Sequence, residues 1–235
     1  MVIIGSGLIA SEIKKKLSDD LDLINRDLCF FASGTSNSQS VTEEEFLREE
    51  SLLRQTMQSY KNHMIIYFSS CALSKKVEQY NPYLRHKANI EKILKSHKRF
   101  GIIRLPNLIG FSNNNNTLLN FINNSIIKSK KLVVHSKSRR SILDVEDAIA
   151  LTGAYIKNGF CLNSILNIAN PKSYSMEYLI SLFEEIRGKF LYEYIDVEDC
   201  YEIELADNYN EVASSLGIKF DDSYLINKLI KYYGT

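Results

Sequence analysis

Short apolar runs alternate with longer amphipathic stretches from the start of the chain. Residues 2–4 (VII) are apolar and stop at Gly5-Ser6-Gly7. Leu8, Ile9, Ile13 and Leu17 then recur on one helical face, with Glu12, Lys15 and Lys16 away from it, so a helix follows the strand. Residues 28–32 (LCFFA) read as a buried strand, ended by the turn-rich SGTSNSQS. Residues 42–60 keep the helical period, and Thr42-Glu43-Glu44-Glu45 resembles a capping box. The next buried strand, 64–68, ends in Ser69-Ser70-Cys71. Asn81-Pro82 opens a helix that runs to about Ser96, because Asn caps a helix and Pro fits its first turn. Further strands are predicted at 100–105 and 165–169, a short apolar segment at 142–143, and helices at 118–127, 147–156, 176–186 and 222–233.

Strands that alternate with helices predict an α/β fold, a parallel sheet with helices on both faces. The 235 residues suffice for one core, or for a large and a small lobe. The pattern loosens and turns more polar after about Leu108. Residues 1–110 are therefore expected to form the core, and 111–235 a smaller lobe with some elements returning to the core.

Bulk properties narrow the classes. A net charge of +1 with 45% hydrophobic residues excludes a disordered chain and gives no pull toward nucleic acid. The basic run Lys128, Lys130, Lys131, Lys137, Arg139 and Arg140 reads mostly as a solvated face. Cys29, Cys71, Cys161 and Cys200 are far apart, and so are the histidines, so neither a metal site nor a disulfide framework is expected. The cytoplasm is the expected compartment. The opening MVIIGSGLIA lacks basic residues in front of its apolar run and is broken by glycines, unlike a signal peptide. No run approaches the roughly 20 apolar residues of a membrane span.

Two motifs carry chemistry. In Gly5-x-Gly7-x-x-Ala10, the first glycine permits a tight turn, the second lets a pyrophosphate approach the backbone, and Ala10 lets the helix pack close to the sheet. The helix N-terminus then presents free N–H groups to phosphate. A plain tight turn is the alternative; the position between strand and helix favours a dinucleotide. The second motif is Tyr83 and Lys87, one helical turn apart on the stripe continued by Ile90 and Leu94. A free tyrosine has a pKa of about 10, and a neighbouring ammonium lowers it. Such a phenol can give or take the proton when a carbonyl gains or loses hydride. With 14 tyrosines, spacing alone proves little, and Tyr224 and Lys228 repeat it. Only Tyr83 follows a strand ending in Ser-Ser and a glycine turn; Tyr224 reads as packing.

In order and spacing, VIIGSGLIAS, LCFFASG, IIYFSSCALS with YNPYLRHKANIEKIL, IIRLPNLIG, SRRSILDVEDAI and LNIANPKSYSMEYLI resemble the short-chain dehydrogenase/reductase superfamily. The likeness is greater to its extended branch, the NAD(P)-dependent sugar-nucleotide epimerases, dehydratases and ketoreductases. The resemblance implies a Rossmann-like sheet and a catalytic centre of Ser70, Tyr83 and Lys87, with Ser69 and Cys71 as alternatives if the register shifts by one. It implies that Lys87 lowers the pKa of Tyr83 and holds the nicotinamide ribose. Gly5, Ser6, Gly7, Leu8 and Ile9 would hold the pyrophosphate. Ala32, Ser33 and Gly34 would pass the cofactor, and Pro106 would touch the nicotinamide. Asn107 would contact the sugar nucleotide and Arg140 its diphosphate. In this fold the run SGTSNSQS lies beside the cofactor, where Ser36, Asn37 and Ser38 either contact the sugar or form an ordinary capping loop.

This chain departs from that pattern. Only ten residues, 18–27, join the first helix to LCFFA. They cannot hold two strands and two crossover helices, since each βαβ unit takes roughly 30 residues. Against the usual order 3-2-1-4-5-6, the second and third strands are missing and the first falls at the sheet edge. A partner subunit, in a homodimer, or a local segment is expected to cover that edge. The acid that holds the adenosine ribose is missing too, with Asn25-Arg26 near its place; Arg26 facing a 2′-phosphate would favour NADP over NAD. The expected function is reduction or epimerisation of a sugar nucleotide, with a lean to 4-keto reduction, in surface polysaccharide synthesis. The alternative is a degenerate Rossmann-like protein that senses a cofactor or binds a partner without catalysis.

Overall fold

The structure is a computed structural model that describes residues 1–35 and 43–234. Ser36, Asn37, Ser38 and Thr42 lie outside the described residues, so their expected roles are not met by any geometry.

The chain opens with β1 (Val2–Ile4), the ten-residue helix α1 (Leu8–Leu17) and the short α2 (Leu21–Ile24), then β2 (Leu28–Phe31). Helix α3 (Glu43–Ser59) starts with three acids, which suit the positive end of a helix. It leads into β3 (Met64–Ser70) and two 3-10 turns. Helix α4 (Pro82–Leu94) begins as its sequence predicts: the Asn81 side chain accepts a hydrogen bond from the Leu84 N–H at 2.9 Å, and Pro82 occupies the first turn. Next come β4 (Phe100–Leu105), β5 (Asn107–Ile109), α5 (Leu118–Ile127), β6 (Leu132–His135) and β7 (Arg139–Asp144). Asp144 caps α6 (Val145–Lys157) through the Glu146 N–H. The chain ends with β8 (Ser164–Asn167), β9 (Ser173–Ser175), α7 (Met176–Arg187), β10 (Tyr192–Ile195), α8 (Tyr209–Ser215) and α9 (Tyr224–Tyr233).

The main sheet is parallel, with strand order β1-β2-β3-β4-β8. Its inner strands are apolar on both faces because both are covered. Phe30, Ile66 and Ile103 point into the core shared with α1 and α6. Their neighbours Cys29, Phe31, Ile65, Tyr67 and Ile102 point into the core with Leu53 of α3 and with Ile90 and Leu94 of α4. Among the described residues β1 pairs with β2 alone, so it is the edge strand that the short 18–27 connection requires. That connection is not plain coil. Asp20 caps α2, and Leu23 is wholly buried in the same core as α1 and α6.

A separate core joins α5, β6, β7, α7 and α9 through Ile122, Val134, Ile142, Phe183 and Leu229. Here the sequence pattern says least: β5, β6, β9, β10 and α8 are too short, or too exposed, to show a period. The segment 142–143 belongs to a six-residue strand, and β8 stops at Asn167 rather than at 169. No helix among the described residues is long and apolar enough to cross a membrane.

Candidate active site

The carboxyl ends of the parallel strands meet the start of α1 and one face of α4, the usual place for a ligand in such a sheet. Gly5 has φ +127°, and a β-carbon there would collide with the Ala32 carbonyl, so this turn requires glycine. Gly7 caps α1, and among the described residues nothing lies within 4 Å of a β-carbon built on it. Its helix has neither a side-chain cap among the described residues nor an acid in the first turn. Ser6 and Gly7 are exposed, Leu8 and Ile9 half-buried, and Ala10 fully buried against the core. The turn thus offers open backbone N–H groups and room for an anion, which fits a pyrophosphate. The adenosine side fits less well. Arg26 donates to the carbonyls of Ile156 (2.8 Å) and Lys157 (3.1 Å), so it is tied to the end of α6 rather than offered to a 2′-phosphate.

Ser70 ends β3 and is half-buried; its hydroxyl accepts from the Ala72 N–H at 3.2 Å. Of the three candidates at this strand end, Ser70 is the half-buried one, and its side chain acts on Tyr83 to favour the ionised phenol. Ser69 is buried, and Cys71 is fully buried with its thiol donating to the Arg104 carbonyl. Tyr83 is half-buried at the start of α4, and Lys87 follows one turn later, its Nζ 5.7 Å from the centre of the Tyr83 ring. The three residues expected from the motif therefore come together.

Their electrostatics differ from expectation. Lys87 is almost completely buried, and its Nζ donates to Glu49 Oε1 (3.0 Å) and to the Tyr67 hydroxyl (2.9 Å). Glu49 has no exposed surface. Its carboxylate also accepts from the Tyr67 hydroxyl (2.7 Å) and the Thr35 N–H (2.7 Å) and pairs with His86 Nε2 (3.0 Å). Burial would raise the pKa of Glu49, but the charge of Lys87 and the hydrogen bonds of His86, Thr35 and Tyr67 outweigh it and hold the carboxyl well below the usual range. Burial pulls Lys87 down, and Glu49 opposes it. Tyr83 does not come out lowered. Burial first, then the Glu49 charge, push its phenol well above the ordinary value, and the Ser70 hydrogen bond opposes them only in part. A lysine whose charge is balanced at contact distance cannot pull on a neighbouring phenol as a bare ammonium would.

Glu49 was not read from the sequence because it stands in the acid-rich EEEFLREES, where most acids face solvent. One signal was there: Glu49, Leu53 and Thr56 form the buried stripe of α3. An acid on an apolar stripe needs a buried partner. Gly34 belongs to the same arrangement. A β-carbon on it would lie 2.7 Å from Lys87 Nζ and 2.9 Å from Glu49 Oε1. Ala32 and Ser33, beside it, are half-buried.

Pro106, half-buried, links β4 to β5. Asn107 starts β5 and donates to the Ser141 carbonyl at 3.4 Å. Arg140, on β7, is already engaged. Its Nη1 donates to the Asp199 carbonyl (2.6 Å) and its Nη2 to the Asp199 carboxylate (2.7 Å). Lys75, just past the first 3-10 turn, contacts the same carboxylate, and its Nζ lies over the Tyr201 ring. Asp199 and Tyr201 belong to the irregular segment 196–206 between β10 and α8. These three residues carry no motif, since they meet only through the chain's return over the strand ends. The lysines of the basic run behave as surface, with Lys131 paired to Glu193 and Lys137 to Asp196, all well exposed.

No protein-family model matches the sequence, and no curated protein matches it. Solved structures do match. UDP-glucose 4-epimerase with UDP-glucose from Thermotoga maritima aligns over 99% of this chain and 97% of its own, at 15% identity and a TM-score of 0.74. RMD from Pseudomonas aeruginosa, complexed with NADPH, aligns over 98% of this chain and 96% of its own, at 15% identity and a TM-score of 0.72. UDP-glucuronic acid 4-epimerase from Bacillus cereus, in complex with UDP-glucuronic acid and NAD, aligns over 98% and 88%, at 14% identity and a TM-score of 0.71. At such identities the likeness establishes the fold: a Rossmann-like α/β architecture of the kind the motifs resembled.

Proposed function

We propose that this chain is an NAD(P)-dependent short-chain dehydrogenase/reductase acting on a sugar nucleotide, with reduction of a 4-keto sugar as its reaction. The observation that carries the proposal is the meeting of Ser70, Tyr83 and Lys87, in a fold whose first strand ends in an open glycine turn. The fold shared with structures that hold NAD or NADPH, or UDP-sugars, supports the cofactor and the substrate class. Gly5 to Ile9 would hold the pyrophosphate, Ala32 to Gly34 the ribose side, and Lys87 and Pro106 the nicotinamide end. A bound NADH or NADPH supplies the hydride. Ser70 then holds the carbonyl oxygen by a hydrogen bond, and Tyr83 gives its proton to that oxygen as negative charge grows there. A phenol carries its proton at neutral pH, as donation to the growing alkoxide requires. Residues 111–235 would shape the sugar-nucleotide pocket, with Asn107 and Arg140 at its rim. Surface polysaccharide synthesis would be the setting, and a homodimer the assembly.

Titration of the chain with NADH and NADPH by calorimetry tests the cofactor half, and a 4-keto sugar nucleotide added to the favoured complex tests the rest. Saturable binding followed by consumption of the reduced cofactor is expected. The degenerate, non-catalytic reading draws its support from the missing strands and the spent Arg26. It gains if neither dinucleotide binds up to millimolar concentration.

Asp199 gives a second handle. A diphosphate can reach Arg140 only in competition with the Asp199 carboxylate, which lies in contact with both Arg140 and Lys75. Asp199→Asn removes the competing charge and keeps the side chain's shape. The affinity for UDP, as the substrate's diphosphate portion, should rise about tenfold, the equivalent of about 1.4 kcal/mol. Weaker binding in the variant would mean that Asp199 holds the two cations in place for the ligand instead of blocking them.

A further inference from the structure

We propose that Glu49 is a positioning residue of the Ser70–Tyr83–Lys87 centre: its buried carboxylate pins the Lys87 ammonium and balances the charge that Tyr83 meets. The inference rests on the reductase reading for its consequence in turnover, but not for the pairing itself.

The geometry is that of a built site. Donors reach Glu49 from three separate pieces of the fold: the Thr35 N–H after β2, the Tyr67 hydroxyl on β3, and His86 and Lys87 on α4. His86 is itself fixed by stacking on Phe46 of α3, with ring centres 4.4 Å apart. Gly34 leaves room for the pair, since any side chain there would strike both Lys87 Nζ and Glu49 Oε1. Stability does not account for such an arrangement, because a buried ion pair is commonly no more stabilising than apolar side chains of the same volume. The buried stripe of α3 could have carried a leucine here. What a leucine cannot do is orient an ammonium beside Tyr83.

The charged and titratable groups around Glu49 are Tyr67 from β3 and Tyr83, His86, Lys87 and Glu91 from α4. Glu91 is engaged by Arg104 of β4 in a two-point pair (2.9 and 2.7 Å), which leaves Glu49 as the near counter-charge of Lys87. Without the Glu49 charge, Lys87 gives up its proton at lower pH, because burial then acts unopposed. Any charge that Lys87 keeps acts unbalanced on Tyr83 and pulls the phenol down. The second consequence, with the loss of the Glu49 charge that raises Tyr83, ends proton donation by the phenol at a lower pH.

The test compares wild type with Glu49→Gln in two readouts. The first is the pH dependence of kcat for carbonyl reduction. Its alkaline limb should move down by about one pH unit or more, which corresponds to about 1.4 kcal/mol per unit. A Glu49 that merely supports the fold would lower the melting temperature and leave the limb where it was, and that result overturns the proposal. The second readout is ¹⁵N NMR of the lysine side chains with no ligand present, Lys87 being assigned by its loss in Lys87→Met. The Lys87 titration midpoint should fall in Glu49→Gln; an unchanged midpoint overturns the proposal whether or not the chain turns over any substrate. A wild type that reduces nothing thus removes the reductase reading, and the Lys87 midpoint still decides the Glu49 assignment. Should Glu49→Gln fail to fold, Tyr67→Phe takes its place. It removes one acceptor from Lys87, and its midpoint should shift in the same direction by less; no shift overturns the proposal.

Discussion

Tyr83→Phe is expected to lower kcat for 4-keto sugar reduction by about 10² to 10⁴-fold, the usual worth of a positioned proton donor. The substitution removes one hydroxyl and little else. Ser70 is half-buried and keeps the Ala72 N–H as a donor to its oxygen. The loss of stability should stay within about 1 kcal/mol, as for a single neutral hydrogen bond. Dinucleotide affinity should hardly change, because the pyrophosphate would be held by the glycine turn and not by the phenol. Steady-state kinetics, a melting curve and a cofactor titration on one preparation check all three. A variant as active as wild type would remove Tyr83 from the chemistry and favour the non-catalytic reading.

Asp144→Ala is expected to be the most destabilising change in the C-terminal part of the chain, by about 3–5 kcal/mol, the loss that follows when one partner of a buried ion pair is removed. Asp144 has no exposed surface and ends β7. Its carboxylate caps α6 through the Glu146 N–H (2.9 Å), accepts from the Tyr232 hydroxyl (2.9 Å) and pairs with Lys228 (2.7 Å). Its own N–H donates to the Tyr224 hydroxyl, which in turn donates to Asp147. Alanine would leave Lys228, whose side chain is only 21% exposed, with Asp147 alone among these partners. At about 2–4 °C per kcal/mol for a chain of this size, the melting temperature should fall by roughly 6–20 °C. The next residue, Val145, lies against Gly110, which also faces Leu8 of the glycine turn. Asp144→Ala should therefore weaken dinucleotide binding as well. A loss below about 1 kcal/mol in chemical denaturation would show that α9 does not hold α6 through this cluster.

The same cluster explains the second Tyr-x-x-x-Lys. Tyr224 is buried, and Lys228 serves the acids at the start of α6, so the repeat of the spacing is structural. Local context sets the two pairs apart: the helix that follows Ser-Ser at a strand end carries Tyr83 and Lys87, and the terminal helix carries Tyr224 and Lys228. Context also marked the edge position of β1, because ten residues cannot carry two further strands whatever surrounds them. It failed for Lys87. The reading of a bare ammonium beside a phenol assumed that the helix face met nothing else, while α3 brings Glu49 and β3 brings Tyr67 to the same nitrogen.

What the sequence determined by itself is what depends on neighbours along the chain: the glycine turn, the cap at Asn81, the alternation of buried strands with helices, and the placing of Ser70, Tyr83 and Lys87 on one strand end and one helix face. These follow from backbone sterics, hydrogen bonding and period, which act over a few residues. The tertiary structure alone decided the charges. Glu49 reaches Lys87 across 38 positions and Asp199 reaches Arg140 across 59. An electrostatic energy depends on distance in space and on burial, and neither can be read from separation along the chain.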